Sequence, residues 1–306
     1  MRKGYIYILL AAVIFSTMEI SGKMVAAQIN PFELTLVRFL IGGLILLPFA
    51  LRDIKERKIK LGREDISYFI LTGFLCVLIS MSFFQLAVVY TKASVVAIVF
   101  STNPVFTIPI AWFILKEKFT KITAASLTMS ILGIICILNP FNLSLDFKGI
   151  IMAALAALTF SIYSVVGKKR MARYGSRVMN SFTFLIGDIM LIILILASHI
   201  KAVSDFFLLH NLELFSNIPL IYGINNSNIL TVIYLGVVVT GLGYLFYFMA
   251  MDETSVSTAS VVFFIKPALA PVLALIILGE SIPINTVIGI VFIILGSFIT
   301  FTGKKQ

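Results

Sequence analysis

The chain has 306 residues, of which 60% are hydrophobic and only 12% are charged, and its mean hydropathy is +1.07. Soluble domains average about 45–50% apolar and about 25% charged residues, so the composition excludes a soluble enzyme with a single anchor and predicts an integral membrane protein. The formal net charge of +10 is not concentrated on a polar domain. We therefore attribute it to membrane topology and expect no nucleic-acid partner.

Ten segments are long and apolar enough to cross a bilayer as helices, for which about 20 residues suffice. Their continuous apolar runs have none of the alternation that a lipid-facing β-barrel requires. We predict spans one to ten at residues 4–22, 32–51, 66–90, 93–115, 121–139, 149–167, 178–198, 228–250, 256–278 and 283–302. Cys76 and Cys136 lie inside these spans and are interpreted as small core residues rather than as a disulfide or metal pair.

Lysine and arginine are distributed unequally between the two sides of the predicted topology. One side holds eighteen of them, at positions 2–3, 52–63, 116–121, 168–177 and 304–305, and the other side holds four, at positions 23, 92, 148 and 201. By the positive-inside rule, both termini are expected in the cytoplasm, and the predicted location is the plasma or inner membrane. The first apolar run is long for a signal peptide and is expected to remain as span one.

The one long outer loop, from His199 to Asn228, carries several aromatic and leucine side chains. That pattern is typical of a short helix in the membrane interface, but a simple connector is an equal alternative.

The chain contains an internal duplication. At an offset of 145 residues, Gly22-Lys23 matches Gly167-Lys168, and the segment 39–42 matches 184–187. After the long loop the offset becomes 163, and it then pairs the glycines, prolines and glutamates of the two halves, including Gly73 with Gly236, Pro104 with Pro267, and Glu117 with Glu280. We predict two five-helix repeats, residues 1–145 and 146–306, with residues 199–227 as an outer loop insertion. Because five is odd, the second repeat must be inverted in the membrane, as in many secondary transporters.

The sequence resembles the EamA-type permeases of the drug/metabolite transporter superfamily. The resemblance covers nearly the whole chain and rests on VRFLIGGLILLP in span two, NPVFTIPIAWFILKEK in span four and KPALAPVLALIILGES in span nine. It implies an all-α fold of ten transmembrane helices around a central cavity, alternating access by rocking of the halves, and export of amino acids, other metabolites or drugs.

Charges that occur in only one repeat are the strongest candidates for function, because the fold does not require them. They are Glu19, Arg38, Asp188 and Lys266, which lie opposite Ser164, Thr183, Gly43 and Asn103. A charge at the centre of a span costs about 2.5–3.5 kcal/mol on insertion scales, so these side chains are expected to face the cavity rather than lipid. Glu117 and Glu280 occur in both repeats and are interpreted as architectural.

Lys266 is predicted near the bilayer midplane, about 15 Å into span nine, with Asp188 at the same depth in span seven. We hypothesise that Lys266 attracts a substrate carboxylate while Asn103 donates a hydrogen bond to it. A structural ion pair between Lys266 and Asp188 is the alternative. Pro267 and Pro271 are expected to kink span nine.

Arg38 and Glu19 are predicted near the outer ends of spans two and one, where they form either a structural or gating pair or a substrate contact. Glu19 and Asp188 are the acidic groups placed well inside spans, so either is a candidate for binding a coupling proton. Gln85, Tyr163 and Tyr244 complete the predicted cavity, with helix packing as the alternative for each.

The sequence lacks a Walker phosphate loop and the H-E-x-x-H and G-x-S-x-G motifs, so we expect no enzyme activity and no cofactor. The predicted function is a secondary transporter that exports small metabolites such as amino acids. Efflux of cationic drugs is an alternative that Lys266 disfavours, and a sensor or scaffold without flux is an alternative from another class. The expected partners are a small-molecule substrate, the lipid bilayer and, in the coupling hypothesis, protons.

Overall fold

The computed structural model describes residues 2–138 and 147–302, and within these ranges the chain is helical, with ten spans joined by loops. Among the described residues, eight helices are long and apolar enough to cross a membrane: Lys3–Val25, Pro31–Glu56, Arg63–Tyr90, Ala93–Leu115, Phe147–Lys169, Met171–Ser198, Ile229–Glu253 and Val256–Leu278. Spans five and ten are the helices Lys121–Leu138 and Ile284–Thr302. The protein is therefore an all-α membrane protein of the predicted class, built as two inverted five-helix repeats.

Most predicted span limits agree with the structure to within a few residues, and the end of span two differs most, at Glu56 rather than at residue 51. Span seven was predicted to begin at residue 178, and its helix begins after Gly175, whose φ of +76° separates it from the short segment Met171–Tyr174. Residue 139, the predicted end of span five, and the predicted boundary between residues 145 and 146 lie outside the described residues.

Several spans depart from regular α-helix near their middle. Spans three and eight change to π-helix at Phe74–Met81 and Leu235–Gly243, at nearly equivalent positions of the two repeats. Such segments are rare and often occur at functional sites. Span nine is interrupted at Ser260 and Val261, before the prolines, and the helix Val262–Leu278 continues through Pro267 and Pro271, so the kink expected there stays a prediction.

The two halves interleave. Span one packs against spans eight and nine, and span six packs correspondingly against spans three and four. Span two packs against spans seven and eight, and span five packs against span ten. Every one of these contacts joins the first half of the chain to the second, so the centre of the molecule is built from both.

Closely packed glycines fix the crossing of spans three and seven. A Cβ atom built on Gly73 would lie 2.7 Å from the backbone nitrogen of Gly187, which is too close for any side chain. The repeat-related crossing of spans eight and two brings the carbonyl oxygen of Gly236 within 3.2 Å of a Cβ built on Gly42. Small residues at such crossings let membrane helices approach closely.

We expect Gly73→Ala to destabilise the protein by about 1–3 kcal/mol, the usual effect of overpacking a crossing that cannot move apart. The measurement is the unfolding temperature in detergent, followed by gel filtration after heating. Gly62→Ala is the matched control, because its added Cβ would meet only an Asp65 carboxylate oxygen, at 3.9 Å. Equal unfolding temperatures for the two variants would contradict the role of this crossing.

The outer loop contains the short helix Lys201–Leu209, one of the two alternatives left open by the sequence, and is attached to the corner between spans one and two. The backbone nitrogen of Gly223 donates to Glu33 Oε1 at 2.7 Å, and Asn228 Nδ2 donates to Gln28 Oε1 at 2.8 Å. Phe215 packs edge-on against Phe32, with ring centroids 5.1 Å apart. The loop therefore covers this corner rather than simply connecting two spans.

Candidate functional site

Four charged side chains lie together in the interior, and none of them faces lipid. Glu19, Arg38 and Lys266 have no exposed surface, and Asp188 is 1% exposed. They come from spans one, two, seven and nine. Arg38 interacts electrostatically with each of the other three. We call these four residues the charge cluster. Its formal charges, two positive and two negative, sum to zero.

Lys266 and Glu19 form a hydrogen-bonded ion pair between spans nine and one. Lys266 Nζ also lies over the rings of Phe100 and Phe84, 4.9 and 5.7 Å from their centroids. The predicted alternative of a Lys266–Asp188 pair is wrong, because span nine packs against span one, whereas span seven packs against spans two and three. Equal depth in the membrane did not bring Lys266 and Asp188 together.

Arg38 and Asp188 are the other two members of the charge cluster, and in the described part of the chain neither side chain has a hydrogen-bond partner. Across the described residues, no side-chain nitrogen of Arg38 and no carboxylate oxygen of Asp188 forms a hydrogen bond. Arg38 lies over the ring of Phe39, 4.9 Å from its centroid. The predicted Arg38–Glu19 pair is not formed, since Glu19 bonds to Lys266 instead. A buried charge without a hydrogen bond is costly, so this arrangement is typical of a binding site rather than of a structural pair.

Asn103 does not contact the charge cluster by hydrogen bonds. Its Nδ2 donates to the carbonyl oxygen of Ala157 at 3.0 Å and to Ser161 Oγ at 2.7 Å, and its Oδ1 accepts from Thr107 at 2.8 Å. Both donor hydrogens of the amide are therefore occupied in joining span four to span six. The hypothesis that Asn103 binds substrate has no support in these contacts.

Tyr244, Tyr163 and Gln85 are buried around the charge cluster. The Tyr244 hydroxyl has no nitrogen or oxygen hydrogen-bond partner in the ranges that the structure describes, and Cys76 and Arg38 are among its electrostatic neighbours. Tyr163 reaches Asn180 Oδ1 at 3.5 Å, at the limit of a hydrogen bond. Gln85 lies against Gly22, and its Nε2 has no partner among the described residues. Tyr244 is therefore the best placed of the three to contact a ligand held by Arg38.

Two buried residues of the π-helical segments were not predicted as site residues. Cys76 is fully buried in the π-helical segment of span three and interacts with Arg38, Tyr163 and Tyr244. Thr240, in the π-helical segment of span eight, has a buried hydroxyl without a partner in the described part of the chain. Neither carries a charge that would distinguish it from ordinary packing residues, and the two π-helical segments share no sequence signal. Only the three-dimensional arrangement identifies them.

Comparison with known proteins relates the whole chain to transporters. The model of the EamA-like transporter family matches residues 2–139 and again residues 147–302. A protein of Clostridium kluyveri named as an uncharacterized transporter is 47% identical over 314 residues, covering 100% of this chain and 95% of the relative. The Bacillus subtilis uncharacterized transporter YoaV is 23% identical, covering 100% of this chain and 99% of the relative.

The fold has also been solved before. A crystal structure with a TM-score of 0.70 covers 97% of this chain and 96% of its own, at 18% sequence identity, which establishes likeness of fold alone. The family match is stronger, because it spans both halves of the chain and agrees with the ten-span architecture. The protein therefore belongs to the EamA-like transporter family.

Proposed function

We propose that this transporter is a secondary active exporter of small zwitterionic metabolites such as amino acids, working by alternating access between the halves 1–145 and 146–306. The observation that carries the proposal is the Arg38–Asp188 arrangement: two opposite charges from different halves, both buried and both without a hydrogen bond in the described residues. A zwitterion supplies one group for each of them.

The chemistry of the two side chains sets the orientation of such a ligand. The guanidinium of Arg38 offers five N–H donors in a planar fork, which suits a carboxylate. The carboxylate of Asp188 accepts only, which suits an ammonium group. The Tyr244 hydroxyl adjoins Arg38 and would donate to the same substrate carboxylate. A ligand with a single charge would leave one member of this pair without a hydrogen bond.

The Lys266–Glu19 ion pair is the proposed coupling element. Lys266 was predicted to bind the substrate carboxylate, but its ammonium already donates to Glu19. Protonation of Glu19 would remove the carboxylate charge that holds Lys266 and so change the charge of the site presented to the substrate. The ion pair would thereby link proton binding to substrate binding. The proposed location is the plasma membrane, with both termini in the cytoplasm.

Counterflow of radiolabelled amino acids in proteoliposomes tests the proposal. We expect uptake of label against preloaded unlabelled amino acid, and we expect an imposed pH gradient to change the initial rate. Cationic dyes serve as the competing substrate class. Uptake of the dyes without uptake of amino acids would replace the proposal with drug efflux. Absence of all counterflow in folded protein would favour a sensor or scaffold, and indifference to the pH gradient would eliminate proton coupling.

A further inference from the structure

The glutamates that follow spans four and nine make equivalent contacts in opposite halves of the chain. Glu117 Oε1 accepts from the backbone nitrogen of Val256 at 3.0 Å, and its Oε2 accepts from Ser257, from the backbone nitrogen at 3.2 Å and from the hydroxyl at 2.5 Å. We call this set the Glu117 latch. The repeat offset of 163 that relates Glu117 to Glu280 also relates each of its contacts to a counterpart at the other end of the spans.

The Glu280 latch is that counterpart. Glu280 Oε1 accepts a hydrogen bond from the backbone nitrogen of Ala93 at 3.0 Å. Its Oε2 accepts two hydrogen bonds from Ser94, one from the backbone nitrogen at 3.1 Å and one from the hydroxyl at 2.5 Å. Three donors on one carboxylate form a charge-assisted set that is stronger than ordinary hydrogen bonds. Each glutamate thus binds the first residues of a span that belongs to the other half.

A lysine accompanies each latch, again with repeat symmetry. Lys23 Nζ donates to the carbonyl oxygen of Val88 at 2.8 Å, and Lys168 Nζ donates to that of Met251 at 2.6 Å. Lys23 interacts electrostatically with Glu280, and Lys168 with Glu117. The lysines are related by the offset of 145, and their carbonyl partners by the offset of 163. Both ends of the molecule therefore repeat one design, in which a lysine and a glutamate from opposite halves meet.

The two latches lie at opposite membrane faces. Ala93 begins span four and Glu117 follows its end, so the latches are separated by 23 helical residues, about 35 Å at 1.5 Å per residue. The fully buried charge cluster lies between them. Both latches are formed at the same time, which matches a conformation that is closed to both faces.

We propose that the two latches are the gates of the transport cycle, each holding its own face closed, so that opening toward one face breaks the latch there and keeps the other. This inference rests on the proposed alternating-access function, and it assigns a conformational role to two glutamates that the sequence alone marks as architectural. Loss of one latch then shifts the population toward the conformation that is open at that face.

Cys76 provides the measurement, because it is buried beside the charge cluster and becomes reachable only when a face opens. In a Cys136→Ser background, Cys76 is the single cysteine of the chain. Its rate of modification by a membrane-impermeant thiol reagent is measured in right-side-out and in inside-out vesicles. We expect Glu117→Gln to raise the labelling rate about tenfold when the reagent is on the Glu117 face only, and Glu280→Gln to raise it about tenfold when the reagent is on the Glu280 face only. A tenfold increase in the population of the open conformation is what the loss of one charge-assisted hydrogen bond would produce.

Two further pairs of variants complete the test. Ser257→Ala and Ser94→Ala remove one contact from each latch and are expected to give smaller shifts in the same directions, which keeps the test usable if a glutamate variant fails to fold. Glu64→Gln and Glu213→Gln remove exposed carboxylates outside the latches and are expected to leave labelling unchanged. Opposite shifts support the gates even in protein without measurable amino acid flux. Equal shifts at both faces, or no shift in folded variants, overturn the inference whether or not transport occurs.

Discussion

The Arg38→Met, Asp188→Asn double variant is expected to be at least as stable as the wild type and to lose amino acid transport by at least about a hundredfold. Both side chains are buried without hydrogen bonds in the described ranges, so removing the two charges together relieves a desolvation penalty. Even a buried ion pair, whose two charges compensate each other, can often be replaced by neutral residues without loss or with a gain of about 1–4 kcal/mol, so two buried charges without a hydrogen bond should be no harder to replace. Loss of two charge-assisted contacts to substrate, at about 1.5–3 kcal/mol each, accounts for the transport defect.

The two readouts together decide between a binding pair and a structural pair. The unfolding temperature in detergent and the initial counterflow rate in proteoliposomes are measured on the same preparations. If the double variant unfolds at a clearly lower temperature than the wild type, Arg38 and Asp188 stabilise the fold. If it transports amino acids normally, they do not bind substrate, and the proposed orientation of the zwitterion is wrong.

Lys266→Met is expected to destabilise the protein by about 3–5 kcal/mol, because it leaves the Glu19 carboxylate buried without its cation. Glu19→Gln combined with Lys266→Met is expected to recover most of this loss, since no uncompensated charge then remains at the pair. The measurement is the unfolding temperature of both variants. Recovery of stability without recovery of pH-dependent counterflow would fit the proposed coupling role.

Lys148→Met is the matched control for this series, because Lys148 is an exposed lysine at the start of span six. It is expected to leave the unfolding temperature within the error of the wild type. If Lys266→Met is equally harmless, the Lys266–Glu19 pair contributes nothing to the fold. If the double variant is no more stable than Lys266→Met alone, the destabilisation comes from the lost contacts of the ammonium with the rings of Phe84 and Phe100 rather than from the orphaned carboxylate.

Hydropathy was sufficient to locate the spans, since length and apolar composition are what a bilayer selects. Spans four and nine were predicted at residues 93–115 and 256–278, and the helices occupy the same residues. The prediction failed where backbone conformation depends on particular contacts. The π-helical segments of spans three and eight have no recognisable sequence pattern, and the turn at Gly175 ahead of span seven was not predicted.

The sequence by itself determined the class of protein, its duplicated plan and which charges had to be buried, because these depend on composition and on position along the chain. Only the tertiary structure decided which charges meet. Hydropathy fixes how deep a residue lies in the membrane, but the direction in which it points follows from which helices cross. Span nine packs on span one, so Lys266 pairs with Glu19, and Arg38 and Asp188 form no hydrogen bond in the described residues. The packing between the halves also places Glu117 and Glu280 against the first residues of spans in the opposite half.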